Sequence, residues 1–458
     1  MNKSKQFTVG QEYTVEITGL GSAGEGVGKI DGFTVFVLGA LPKETVNIRL
    51  SVVKKSYAVG ELLSIVQASP DRVEPRCPIF AECGGCQLQH LSYAAQLASK
   101  REKVEQAIKR IGHLADVAVF DVLGEDNPWY YRNKMMFPVS GIAGKATIGC
   151  YAKSSHVVVN AQDCFIQHET NNLIMNIVRA WLNEYKVMPY NEKSQQGVIR
   201  HVMGRVGVKT GDIMVALVSK EEKIPHIDKL IQALSEQLTG LKSVVQFVKK
   251  ENTNVVLAGK ERLLYGEKFI QDKIGAFVFN ISAKSFFQVN SLQTEALYNK
   301  AIKLAALTGE QTVIELYCGT GTISLFLAQK AKKVIGIEIV EQAIRDAQKN
   351  AVNNGCRNVE FIVGDVAEKL PKLVQQGVKA DVLVVDPPRA GCDKRVLESI
   401  LTIKAKKLVY ISCNPASLAR DLAILSDGGY KVKTVQPVDM FPMTSHVEVI
   451  TKLIRVKN

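Results

Sequence analysis

No apolar run in the chain approaches the ~18 residues that a membrane-spanning helix requires, which argues against a helical membrane protein. The opening Met1-Asn2-Lys3-Ser4-Lys5 leads into Gln6-Phe7-Thr8-Val9 and not into a signal-type apolar segment, so a cytoplasmic protein is expected. Internal repeats, low-complexity tracts and long disordered linkers are missing. The 34 glycines and 14 prolines are not excessive for 458 residues, of which nearly half are apolar; this is the composition of a folded protein. Such a length exceeds one ordinary core, and two or three domains are expected. Acids are in deficit: 45 Asp and Glu face 58 Lys and Arg, giving a net charge of +13 and a pI near 9.1. That imbalance favours a polyanionic partner such as nucleic acid, although solvated lysines alone can produce it.

A disulfide framework is also disfavoured. The nine cysteines are an odd number without a signal peptide, which points to metal or catalytic thiols. Three of them, Cys77, Cys83 and Cys86, lie in Cys77-Pro78-Ile79-Phe80-Ala81-Glu82-Cys83-Gly84-Gly85-Cys86, and Cys164 follows farther along. Structural zinc more often uses two paired Cys-x-x-Cys hooks, so three clustered thiols plus a distant one suit an iron–sulfur cluster better. Unclustered reduced thiols are the remaining reading. Cys150, Cys318, Cys356 and Cys392 are read as packing residues.

Residues 7 to about 67 carry short β-rich runs, Tyr13–Ile17, Thr34–Val37 and Thr45–Ile48, separated by glycine. They suggest a small barrel of the OB kind. The stretch Gly19 to Lys29 lacks the residues of a phosphate loop and is read as a barrel turn. Lys54-Lys55-Ser56-Tyr57 joins charge to an aromatic, as on a nucleic-acid surface. Pro70, Pro75 and Pro78 mark a boundary. Beyond it, Ser92 to Gly112 reads as a helix with Leu97, Val104, Ala107, Ile108 and Ile111 on one face. Residues 126 to 270 are only weakly periodic. From about 310 strands and helices alternate, with strands at 312–316, 334–337, 359–363, 382–385 and 408–411 and a helix at 341–353. This predicts a doubly wound α/β domain.

In such sheets ligands gather at the carboxyl ends of the strands. The first strand runs into Glu315-Leu316-Tyr317-Cys318-Gly319-Thr320-Gly321, where Ser324 stands in place of a third glycine. A pyrophosphate site is thereby weakened, and an adenosyl ligand without phosphates remains open. Glu338 ends the next strand, where a carboxylate can bind ribose hydroxyls, and Asp365 ends the third, where it could meet adenine. Either acid could instead cap a helix. With Asp386 at a further strand end, the set forms a class I S-adenosylmethionine pattern. Cys413 follows the last of these strands in Ser412-Cys413-Asn414-Pro415. A thiolate there can open covalent chemistry on an electrophilic ring, whereas an isolated cysteine would more simply be a buried small hydrophobe.

Taken in order, five segments resemble the signatures of the RNA uracil-5-methyltransferases. They are Ser285-Phe286-Phe287-Gln288-Val289-Asn290, the Glu315 glycine segment, Asp386-Pro387-Pro388-Arg389, Ser412-Cys413-Asn414-Pro415, and Phe441-Pro442-Met443-Thr444-Ser445-His446-Val447-Glu448. Within the family the likeness is to the branch acting on 23S ribosomal RNA, and it covers almost the whole chain. The resemblance implies a TRAM RNA-binding barrel at 1–68, a central α+β domain at 69–275 and a Rossmann-like methyltransferase domain at 276–458. It implies that helix 92–112 packs on the catalytic domain, and that Cys77, Cys83, Cys86 and Cys164 hold an iron–sulfur cluster of the 4Fe-4S type. Gln288, Tyr317, Glu338, Asp365 and Asp386 would bind S-adenosyl-L-methionine, with Cys413 as nucleophile and Glu448 as base. The partner would be RNA presenting a flipped or loop uridine, with no protein partner evident. Transfer RNA is the alternative substrate, and a noncatalytic RNA-binding maturation factor is a second alternative. A cytosine-5 enzyme is disfavoured because Asp386-Pro387-Pro388-Arg389 contains no cysteine.

Overall fold

Side-chain alternation shapes the N-terminal segment. Val35 and Val37 on one strand and Val46, Ile48 and Leu50 on another point inward and are almost fully buried, while their neighbours face out. A computed structural model, describing residues 7–251 and 253–456, shows these strands closing into a five-stranded barrel. Around it lie Glu12–Leu20, Gly26–Ile30, Phe33–Val37, Tyr57–Gln67 and Thr45–Val53. Residues 1–6, which bear on the absence of a signal segment, lie outside the described residues. The glycine stretch read as a turn is half strand. Gly26–Ile30 pairs with Glu12–Leu20, and a Cβ on Gly28 would stand 2.6 Å from the Glu16 carbonyl oxygen. Glycine is needed there for close approach.

The weakly periodic middle of the chain forms a seven-stranded mixed sheet. Its order is Lys260–Gly266, Leu241–Val248, Ile213–Ser219, Ile199–Val206, Lys134–Ile142, Lys145–Tyr151 and Val158–Asn160. Every residue of Ile199–Val206 and Ile213–Ser219 is buried. One face packs Val202, Val215 and Leu217 against the helices Glu169–Glu184 and Ile227–Gln237. The other packs Met203, Met214 and Phe247 into the same apolar cluster as Phe279, Phe287 and Ile411. With both faces covered, alternation disappears from the sequence.

A second seven-stranded sheet follows, ordered Val359–Val363, Lys333–Glu338, Thr312–Leu316, Val382–Val385, Lys407–Ser412, Glu448–Arg455 and Tyr430–Val438. The first five strands are parallel; Glu448–Arg455 inserts antiparallel between the fifth and its own hairpin partner. Among the described residues no helix is long and apolar enough to cross a membrane.

Helix Tyr93–Arg110, capped by the Ser92 hydroxyl, lies against the helix Pro415–Asp427 and the strand Tyr430–Val438. Val104, Ala107 and Ile108 are buried as periodicity predicts, but Ile111 is exposed and Leu97 only half-buried. Two polar residues take the inner face instead. Gln96 donates from Nε2 to the carbonyls of Leu88 and Leu91, and its Oε1 accepts from Met443 N–H. Lys100 Nζ lies 2.6 Å from Asp439 Oδ1 and also donates to Phe441 O, with both charged side chains almost fully buried. Removing one member of such a pair strands the other charge in a low dielectric. Lys100→Ala is therefore expected to cost about 3–5 kcal/mol in urea unfolding. Arg101→Ala, which breaks the exposed Arg101–Asp121 pair, should cost less than about 1 kcal/mol. Equal effects would dismiss the buried pair as a structural element.

Candidate active site

The sheet order turns residues scattered over 130 positions into a row. At successive carboxyl ends stand Asp365, Glu338, Tyr317, Asp386 and Cys413, and then Glu448 opens the adjoining antiparallel strand. Parallel register pairs Leu316 with Val385 and Val385 with Tyr410, so Tyr317 and Asp386 leave neighbouring strands at the same level. Antiparallel register pairs Ser412 with Val449, which puts Cys413 beside Glu448. Neither adjacency follows from distance along the chain.

At the glycine loop, Tyr317, Gly319 and Gly321 all have positive φ (65°, 53° and 77°), and the helix Thr322–Ala328 starts immediately. A Cβ built on Gly319 would meet open space, so the glycine serves backbone conformation there. Glu338 accepts from the Gly319 and Val340 N–H groups at 3.2 and 2.9 Å, which locks it to the glycine loop. Asp365 accepts from Ala367 N–H at 2.9 Å and caps the helix Val366–Gln375. The capping reading of this acid thus has direct geometric support. Gln288 is half-buried just ahead of helix Ser291–Ala305, and its carbonyl accepts from Asn133 Nδ2 at 2.9 Å.

Burial makes the centre of the row acidic but weakly ionised. It pushes the Asp386 carboxyl up to about 7, and among the described residues no donor hydrogen-bonds that side chain. Burial, reinforced by Asp386 and opposed by Arg389, carries Glu448 up to about 8. Burial, then Glu448 and Asp386, also raise the Cys413 thiol, again against Arg389. Two residues not singled out from sequence belong here. Glu315 is almost fully buried, bonded to the Ser324 hydroxyl, and raised to about 8 by burial and by the charges of Asp386 and Glu338. Its signal was an acid inside an otherwise apolar strand. Arg389 is the cation that both Cys413 and Glu448 sense.

Loops hold the ends of the strands Val382–Val385 and Lys407–Ser412 together. Asn414 Nδ2 and Ser417 Oγ both donate to the Arg389 carbonyl at 3.0 Å. Behind them Asp421 accepts from the Tyr410 hydroxyl at 2.6 Å and from Cys392 N–H at 2.8 Å.

The four clustered thiols sit elsewhere, on the 77–86 loop and ahead of helix Glu169–Glu184. All are free, and Cys86 senses the charges of Cys164, Cys83 and Cys77. Burial lifts Cys86 to about 12 and Cys164 to about 11. Cys150, read from sequence as a packing residue, lies beside Cys83 and holds its thiol below the usual range. Among the described residues, no three His, Cys, Asp or Glu side chains converge tightly enough to hold a metal ion.

The family described as tRNA (Uracil-5-)-methyltransferase matches residues 92–456, and the TRAM domain matches residues 6–63. A protein of Clostridium acetobutylicum described as an uncharacterized RNA methyltransferase is 49% identical over 447 residues, covering 97% of each chain. One from Halalkalibacterium halodurans is 48% identical over 451 residues, covering 98% of each. Among solved structures, the Pyrococcus abyssi tRNA (uracil-54, C5)-methyltransferase in complex with S-adenosyl-L-homocysteine superposes with a TM-score of 0.77 at 27% identity. The match covers 96% of this chain and 99% of that one. The class I methyltransferase sheet, the N-terminal TRAM barrel and these matches agree. The chain belongs to the uracil-5-methyltransferase family of S-adenosylmethionine-dependent RNA methyltransferases.

Proposed function

We propose that the protein methylates carbon 5 of a specific uridine in 23S ribosomal RNA through a covalent adduct with Cys413. The observation that carries the covalent chemistry is the strand register, which sets the Cys413 thiol beside the buried Glu448 carboxyl with Asp386 next to both, while 23S ribosomal RNA as substrate rests on the family resemblance. Uracil carbon 5 is too weak a nucleophile to take a methyl unaided. The Cys413 thiol gives up its proton to solvent, its sulfur bonds to carbon 6 as the carbon 5–carbon 6 double bond opens, and the ring becomes an enolate rich in electrons at carbon 5. Carbon 5 then takes the electrophilic methyl group that bound S-adenosylmethionine would supply on its sulfonium, whose sulfur would keep the bonding pair as a neutral thioether. Glu448 then removes the carbon 5 proton, the electron pair re-forms the ring double bond, and the carbon 6–sulfur bond breaks to release Cys413. Glu338, Tyr317, Gln288, Asp365 and Asp386 are proposed to hold the adenosyl ligand. Glycine-loop φ values and the unpartnered Asp386 carboxyl suit it, because a buried carboxylate favours a sulfonium nearby. The uridine must leave its stack for ring attack.

Transfer RNA is the second reading, favoured by the Pyrococcus abyssi relative, whose own substrate is tRNA uracil 54. Labelled S-adenosylmethionine incubated with separate unmodified ribosomal and transfer RNA pools decides between them. 5-Methyluridine in 23S fragments is expected; label confined to transfer RNA would keep the chemistry and reverse the substrate, and no label in either would leave a noncatalytic binder.

Cys77, Cys83, Cys86 and Cys164 are proposed to hold a structural iron–sulfur cluster. Four free thiols that sense one another, three on the 77–86 loop and Cys164 on a second segment, support it, as does Gly85 N–H lying 3.4 Å from Cys83 Sγ. Anaerobically purified protein should contain iron and acid-labile sulfide, and both should fall sharply in Cys86→Ala. Zinc without sulfide would replace the cluster by a zinc site.

A further inference from the structure

A cavity of about 540 Å³ opens between the barrel and the central sheet, away from the row of carboxyl ends. Leu38 lines it from the barrel, and Phe80, His90, Tyr151, Lys153 and His201 from the other side. Its size is that of a small-molecule site, which typically spans about 300–1,000 Å³. None of Gln288, Tyr317, Glu338, Asp365, Asp386, Cys413 or Glu448 borders it, and of the four clustered thiols only Cys86 does. It is therefore separate from the row of carboxyl ends, and it adjoins the thiol loop through Gly84, Gly85 and Cys150 as well.

Two buried imidazoles in its wall are short of partners. His201 is 7% exposed with Nδ1 unbonded, and His90 is 3% exposed with neither ring nitrogen in a hydrogen bond of normal geometry, although the Gly39 backbone lies close. Burial holds both rings neutral, so each offers one donor and one acceptor. Native proteins rarely leave buried polar atoms unpaired unless a ligand or water completes them. Phe80 and Tyr151 add aromatic surface, and Lys153 Nζ stands 5.0 Å from the Phe80 ring centre. Apolar and aromatic walls, neutral donor–acceptor groups and one cation at the edge match a base with its phosphate.

The cavity is also tied to the active site. Gln87 lines it, and the Gln87 N–H bonds the carbonyl of Met443 at 3.0 Å, five residues before Glu448.

We propose that this cavity binds a second unstacked nucleotide of the RNA whose uridine reaches Cys413, an inference that rests on the function proposed above. The barrel then acts as one wall of a base site and not only as a charged surface.

Photocrosslinking tests it, with ribosomal and transfer RNA transcripts carrying in turn a photoreactive analogue of each of the four nucleosides. Wild-type full-length protein should crosslink at Phe80 or Tyr151 as well as near the exposed Lys54–Tyr57 turn. Leu38→Trp, which fills the cavity from a half-exposed barrel position, should lower the wall crosslinks and raise the RNA KM by about ten-fold, the loss expected for one stacked base. The KM for S-adenosylmethionine and the iron content should not move. Crosslinks at the turn without any at the wall, unchanged wall crosslinks in Leu38→Trp, or no crosslinks at all would overturn the proposal. Formation of 5-methyluridine by the wild type is read in the same samples. Its absence refutes the catalytic reading, whereas its presence without wall crosslinks refutes the base site alone.

Discussion

Cys413→Ala is expected to reduce 5-methyluridine formation by about 10⁴-fold or more, the scale on which an enzyme loses its nucleophile. The same variant should form no stable adduct with RNA containing 5-fluorouridine. In the wild type the fluorine replaces the proton that Glu448 would remove, so the bond to Cys413 cannot be released. Cys413 is only half-buried at the end of Lys407–Ser412, and truncating it leaves no large hole. Loss of turnover should therefore come with an unchanged unfolding midpoint. Retained turnover in Cys413→Ala would refute covalent catalysis, even if RNA binding were intact.

Glu448→Gln is expected to slow turnover by about 10²–10⁴-fold, the usual contribution of a general base. Its distinguishing outcome is accumulation of a methylated protein–RNA adduct, seen as a shifted, labelled band in a denaturing gel. Attack by Cys413 and methyl transfer precede the step that needs the base, so the intermediate builds up where Cys413→Ala builds up nothing. pH supplies an independent check. The carboxyl, raised to about 8 by burial and Asp386, acts as a base only when deprotonated, so wild-type turnover should increase as pH rises through about 8. The raised Cys413 thiol pushes the profile the same way. A slow Glu448→Gln enzyme without adduct would move the base role to another group, with Asp386, raised to about 7, the nearest candidate.

Much of the fold was legible locally. The strands Thr312–Leu316, Val359–Val363 and Val382–Val385 and the helix Glu341–Asn353 have the limits that β-branched runs and periodicity indicate. Each is a short β-branched run or an amphipathic stretch, a signal that needs no distant partner. The middle of the chain was opaque because Ile199–Val206 and Ile213–Ser219 are covered on both faces and carry no alternation. Helix Tyr93–Arg110 gave no sign of the roles of Gln96 and Lys100. Polar residues on an inner face look like solvent-facing ones until Met443 and Asp439 are brought to them from more than three hundred positions away.

By itself the sequence determined the chemistry available: a thiol after a strand, acids at strand ends, a glycine loop, clustered cysteines and a basic surface. Ordered motifs sufficed to indicate the family, because residue type and local spacing are properties of the chain. Only the tertiary structure decided which of these groups meet. Crossovers in the parallel sheet and one inserted antiparallel strand make neighbours of Tyr317, Asp386, Cys413 and Glu448. Burial at that junction then sets their protonation. Both effects arise from packing distant segments into a low dielectric, and neither is encoded in any local run of residues.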